Sequence, residues 1–318
     1  MKSQQKRTPA KKPRPGWEKG SPKRANNITE YAAKEKKQGK ANMPGHVRAS
    51  LNWNTLKRMM DDKYSMQIVD MAQSYNRRII EIFKKYPNHF YGPALLALQD
   101  PEWSLKEIQW CKSVGFNSVL VDSCWPDLNQ LSGYPLVSAP RFEEICAECE
   151  KNNLVLSIHH AMHQINYNTL PQFKEFGLNQ YFPTAQSISL IGFVTSGILD
   201  RHPTLKVLIS EGGMAFINFS YDILKSKNPN LDIDKYFRNN FYFTIETEHT
   251  KSLLSVIKKF GAKRFLFATD YPHSDAGGEN KFNDHIDIEN LPLSENEKDL
   301  ICYKNAMDLF RPPALALE

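Results

Sequence analysis

Residues 154–160, LVLSIHH, decide how the chain is read: a run of aliphatic and small residues ends in two groups able to bind a metal or move a proton. The same arrangement recurs twice. Residues 206–212, KVLISEG, reach Glu211, and residues 264–270, RFLFATD, reach Asp270. Three more apolar runs complete the series, at 90–98 (FYGPALLAL), 117–123 (NSVLVDS) and 241–246 (FYFTIE). Segments of helical spacing separate them, at 101–114, 140–152, 171–182 with 185–201, 213–226 and 249–260, and another follows at 294–310. Near-continuous aliphatic strands alternating with helices specify a parallel sheet covered by crossover helices. No glycine-rich phosphate loop follows the first strand, which argues against a dinucleotide-binding fold. Polar residues at the C-terminal tips of several strands are what a (β/α) barrel gathers around its mouth, and a barrel is the architecture expected.

Strand alternation refines this placement, because successive side chains point to opposite faces. In 154–160, Val155, Ser157 and His159 share one face, and Leu154, Leu156 and Ile158 take the helix side. Leu266, Ala268 and Asp270 share a face in the last strand. The same count groups Val207, Ile209 and Glu211 and turns them inward. His159, Glu211 and Asp270 are thereby expected to converge on one point.

The remaining composition narrows the class. The 318 residues carry 41 Lys and Arg against 35 Asp and Glu. Fourteen of those bases and three of the acids fall in residues 1–48, so a basic arm at +11 precedes a body at −5. The arm is poor in aliphatic residues and is expected to be mostly disordered, with residues 49–318 forming the barrel. Nucleic-acid binding through the arm ranks last, since no interleaved aromatic motif accompanies it. No run of about 18 apolar residues occurs to span a membrane, and the start lacks the apolar core of a secretory signal; a cytoplasmic location is expected. Five cysteines, an odd number, argue against a disulfide framework. Cys146 and Cys149 form a CxxC within a helical stretch lacking a second ligand pair, and are read as core or helix-surface thiols rather than a metal or redox site.

Residues 89–121, 154–160, 197–217 and 264–276 together resemble the amidohydrolase-related family that includes aminocarboxymuconate-semialdehyde decarboxylase and hydroxybenzoate-type decarboxylases. The most specific pieces are HPTLKVLISEGG (202–213) and TDYPHSD (269–275), and the resemblance runs over residues 59–310. It implies a distorted (β/α)8 barrel with a divalent metal, Zn, Mn or Fe, in its mouth. The family's fifth-strand histidine ligand falls on His159 and its eighth-strand aspartate on Asp270. Glu211 matches a subset with Glu-Gly-Gly on the sixth strand. Imidazole and carboxylate donors suit such ions and leave positions open for water or substrate. Asp270, Glu211 and His273 are the expected catalytic groups, and His159, Asp270 and Glu211 the expected metal ligands. Should Glu211 not meet a metal, it needs a cation such as Arg201 or Arg264. His160 is expected to point toward the helix side as a structural residue, and His163, Asp275, Glu246, Glu248, Trp125 and Tyr134 fall near the expected mouth with weaker claims.

One departure from the family accompanies the match. The His-x-His or Glu-x-His pair of the family's first strand is missing, and the aliphatic second strand is not found, so the chain supplies strands three to eight. A divergent paralogue that closes its barrel with the arm or another subunit, an incomplete gene model, and a segment replaced during loss of catalysis all account for this. The expected function is a metal-dependent hydrolase or non-oxidative decarboxylase of a small carboxylate-containing acid. The alternative is a catalytically reduced barrel serving as partner of an active homologue. Open barrel edges are expected to favour association with a like or homologous chain.

Overall fold

The structure is a computed structural model that describes residues 62–86, 90–98, 100–122, 138, 140–159, 181–245, 250–269 and 285–310. Its elements, in order, are α1 (Asp62–Lys85), β1 (Ala94–Leu95), α2 (Pro101–Val114), β2 (Ser118–Asp122), α3 (Glu143–Lys151), β3 (Val155–His159), α4 (Tyr181–Thr195), α5 (Ile198–Arg201) and β4 (Lys206–Ile209). There follow α6 (Ala215–Lys227), α7 (Ile233–Asn239), β5 (Phe241–Ile245), α8 (Thr250–Phe260), β6 (Phe265–Phe267), α9 (His285–Glu289), α10 (Glu295–Asp299) and α11 (Asn305–Phe310). A π-turn over Leu300–Lys304 joins the last two.

Local chemistry sets several boundaries. Helix α2 starts where the Asp100 carboxylate accepts from the Trp103 amide at 2.9 Å with Pro101 at the first helical position, and it stops at Gly115, whose φ of 104° suits a residue without Cβ. At α10, Ser294 and Glu297 form a reciprocal capping box. The segment 185–201 forms two helices rather than one, because Gly197 takes a φ of 71° between them. Helices α7 and α9 are additions to the sequence expectation.

All strand pairs are parallel and run in chain order, β1-β2-β3-β4-β5-β6. This is the expected α/β succession of barrel strands three to eight; among the described residues the sheet contains these six. The basic arm, residues 1–48, lies outside the described residues.

The two faces of the sheet are unequal. One carries the main core, where Leu156, Ile158, Val207, Ile209, Phe241, Phe243, Ile245 and Phe265 pack under the helices. Each such side chain contributes about 1.5–3 kcal/mol when fully removed from water. The other face holds a small cluster of Val155, Leu208, Leu266 and Leu309, flanked by Tyr242 and Phe310. Val155 opens β3 and Leu309 belongs to the last helix, so apolar packing closes the end of this face where the strands begin. The polar tips lie at the opposite end.

This partition corrects one expectation. Leu208 points with Val155 to the inner face, whereas Val207 and Ile209 point to the helices. The register agrees, with Ser157 opposite Leu208 and Leu208 opposite Tyr242. Strand β4 therefore alternates oppositely to the sequence count, which assumed that pairing continued to residue 211; the strand ends at Ile209 and the chain leaves the pleat before Glu211. For Val155 and Leu266 the expected inward placement holds.

The thiols are core, as read. Cys111, Cys146 and Cys149 are fully buried. Burial pushes the Cys111 and Cys146 thiols up to about 12, and that of Cys149 well above its ordinary value. No helix among the described residues is long and apolar enough to cross a membrane.

Candidate active site at the strand tips

His159 ends β3 and Glu211 lies two residues beyond β4. Their side chains meet, with His159 Nε2 3.0 Å from Glu211 Oε2. Oε2 is buried, with no hydrogen bond from any described group. A buried carboxylate oxygen without a hydrogen bond is costly, about 1–3 kcal/mol. It is also what a ligand atom looks like before its cation is added.

Glu211 reaches this position by leaving the extended conformation. Its φ is 56°, one of two positive values among described non-glycine residues, and Gly213 follows at 63°. A left-handed residue bearing a Cβ costs roughly 1–2 kcal/mol. Three hydrogen bonds fix the tip. Ser210 N donates to Ile158 O at 2.9 Å, tying it to the residue before His159. Glu211 N donates to Thr244 Oγ1 of β5 at 3.2 Å. Gln186 Nε2, from α4, donates to Ser210 O.

Neither arginine considered as a partner for Glu211 serves it. Arg201 is gripped by Glu143, with Nε and the Nη2 nitrogen each 2.6 Å from a carboxylate oxygen, and Arg264 lies over the Tyr242 ring at 4.7 Å. Both precede their strands, at the end of the sheet away from the tips, so length of reach rules them out. The His202-Pro203 pair is structural too: His202 lies between Glu150, at 2.9 Å, and Glu143, at 3.1 Å.

Asp122 was missed by sequence reading. It ends β2 directly opposite His159 and takes the same face. The signal was present, since 117–123 also closes on a carboxylate at its tip, and alternation with Val119 and Val121 in the main core turns Ser118, Leu120 and Asp122 inward. Gln186 and Thr244 left no signal, because their contacts to the tip of β4 are made only by folding. Among the described residues no three His, Cys, Asp or Glu side chains form a cation-binding group. Asp270 and His273, together with His160, His163, Asp275, Glu246, Glu248, Trp125 and Tyr134, lie outside the described residues.

A parallel α/β sheet with a histidine and a carboxylate meeting beyond its strand ends has these groups where a (β/α) barrel carries its active site. The chain belongs to the Amidohydrolase family, whose profile matches residues 59–311. It is 27% identical over 269 residues to a gamma-resorcylate decarboxylase from Polaromonas sp., the match covering 76% of each protein. A 2-amino-3-carboxymuconate-6-semialdehyde decarboxylase from Dictyostelium discoideum is 24% identical over 215 residues, covering 64% of this chain and 57% of the relative. Among solved structures, a 2,6-dihydroxybenzoate decarboxylase complexed with 2,6-dihydroxybenzoate superposes with a TM-score of 0.65 at 23% identity, covering 77% of this chain and 78% of that one. A dihydroxybenzoic acid decarboxylase from Polaromonas sp., with bound manganese and 2-nitroresorcinol, gives 0.67 at 23% identity, covering 80% and 79%. The relatives are thus decarboxylases of small acids; the reading of this chain as a catalytically reduced partner finds no support among them.

Proposed function

We propose that this protein is a divalent-metal-dependent, non-oxidative decarboxylase of a small hydroxylated aromatic acid. The observation that carries the reading is the pairing of His159 with Glu211, whose buried Oε2 has no hydrogen bond from the described residues. The donor set, an imidazole nitrogen and a carboxylate oxygen, suits a divalent ion. His159 and Glu211 would hold the ion, with Asp270 assigned as the third ligand from the sequence. Bound there, a divalent cation supplies charge that polarises a carboxylate or phenolic oxygen. The relatives named for gamma-resorcylate and 2,6-dihydroxybenzoate supply the substrate class.

In this reaction the bond from the ring carbon to the carboxylate breaks, the electron pair stays on the ring carbon, and a proton takes the place of the departing CO2. The protein must orient the carboxylate and deliver that proton. Asp270 and His273 are assigned to proton delivery, Glu211 to fixing the acid end of the site. The apolar cluster of Val155, Leu208 and Leu266 closes the inner face behind the tips and excludes water from that side.

The test is to incubate the manganese-loaded protein with a panel of hydroxybenzoates, 2,6-dihydroxybenzoate included, and to measure CO2 and the decarboxylated phenol. Turnover that is lost on chelation and in His159→Ala, together with loss of bound metal in that variant, is expected. Full metal content in His159→Ala, or undiminished turnover after chelation, overturns the proposal.

A further inference from the structure

We propose that Gln186 is a positioning residue for Glu211, acting with Thr244 as a clamp that holds the tip of β4 in the left-handed turn and so aims the carboxylate at His159. The inference rests on the metal-site reading above and adds to it the machinery that builds the site.

Gln186 is fully buried on α4. Its amide orientation is set by its neighbour: Nε2 must face Ser210 O, since the reverse would set two carbonyl oxygens against each other. Its own Oε1 is buried and accepts nothing from the described residues. An amide half-satisfied in a core costs about 1–3 kcal/mol relative to a fully paired one, so an apolar residue of the same length would serve packing better. What the amide provides is one donor on the peptide preceding Glu211. Thr244 Oγ1 provides the matching acceptor on the other side of that peptide, for Glu211 N. The peptide linking Ser210 to Glu211 is thus held at both its oxygen and its nitrogen, from two different elements. Gly212 makes room for this. A Cβ there would meet Gln186 Cγ at 3.1 Å and Phe216 Cε1 at 3.1 Å, so the close approach of α4 to the tip requires glycine.

The geometry explains how an energetically unfavourable backbone persists at the site. A left-handed glutamate relaxes unless its surroundings over-determine it, and here they do so with three hydrogen bonds from β3, β5 and α4. Groups that orient a metal ligand in this indirect way typically change metal affinity about 10- to 100-fold when removed.

The experiment measures Mn2+ binding by calorimetry on the full chain. Gln186→Met and Thr244→Val should each weaken binding about tenfold, while Thr244→Ser, which keeps the hydroxyl, should bind as wild type. In a Glu211→Gly background, Gln186→Met should have no further effect, because the residue it acts through is gone. Unchanged affinity in Gln186→Met, or an equal loss in the Glu211→Gly background, overturns the proposal. If the wild-type chain binds no Mn2+, the metal reading fails by itself, and the clamp is then judged by a crystal structure of Gln186→Met. Glu211 released from positive φ supports it, and Glu211 retained there overturns it.

Discussion

Replacing Glu211 by glycine and, separately, by alanine separates the carboxylate from the backbone it sits on. Both variants lose the carboxylate; only glycine removes the Cβ. At φ 56° a Cβ costs roughly 1–2 kcal/mol. Glycine returns part of that, about 0.5–1 kcal/mol, as extra entropy in the unfolded chain. The glycine variant should therefore be the more stable of the two by about 0.5–1 kcal/mol, or about 1–4 °C in Tm for a domain of this size. Lys258, exposed on α8, supplies the control, because in a helix alanine exceeds glycine by about 0.8–1 kcal/mol. The measurement is calorimetric or urea unfolding with a chelator present, so that metal binding does not contribute to stability. A sign reversal between positions 211 and 258 is expected. If alanine matches or exceeds glycine at 211, the residue is not strained and the argument for a forced turn at the tip of β4 fails.

Acid should weaken the surface ion pairs in a defined window. The guanidinium of Arg201 holds Glu143, and the ammonium of Lys235 holds Asp200, below the ordinary carboxylate range. Groups with lowered values stabilise above their unfolded pKa, about 4.3 for Glu and 3.9 for Asp, and lose that contribution as pH falls through the folded values. The urea midpoint should fall less steeply below pH 4.5 in Arg201→Met with Lys235→Met than in wild type, by a small amount given how exposed these pairs are; identical slopes would count against it. Asn305→Leu should cost roughly 1–3 kcal/mol in urea unfolding, because Nδ2 donates to Ala262 O at 2.8 Å and Phe265 O at 2.7 Å and both buried bonds are lost, while Ala262 O keeps its bond from Phe265 N. Cys111, Cys146 and Cys149 should be silent to a thiol reagent until urea is added, and prompt labelling of any of them in the native protein would contradict their burial.

The elements that the sequence made legible share a property: their signal is local and periodic. The strands at 118–122, 155–159 and 241–245 and helices such as 101–114 are specified by apolar runs, caps and glycine stops within a few residues. His159 was readable because alternation within β3 alone places it. The succession of strand and helix gave the parallel order, because short crossovers leave few other topologies.

Glu211 shows what that kind of reading lacks. Counting by twos assigned it an inward place through a pleat that ends at Ile209, and so put Val207 and Ile209 on the wrong face. Its actual position depends on a left-handed turn, and no residue near it in sequence dictates that turn. Ile158, Thr244 and Gln186 do, from 53, 33 and 25 positions away. The sequence by itself determined the family, the parallel α/β order and the residue types gathered at the strand tips, since each is encoded in short-range pattern. Only the tertiary structure decided that Glu211 meets His159 and that Asp122 stands beside it, because hydrogen bonds between separate strands and a helix set the backbone at that tip, and such bonds have no periodicity along the chain.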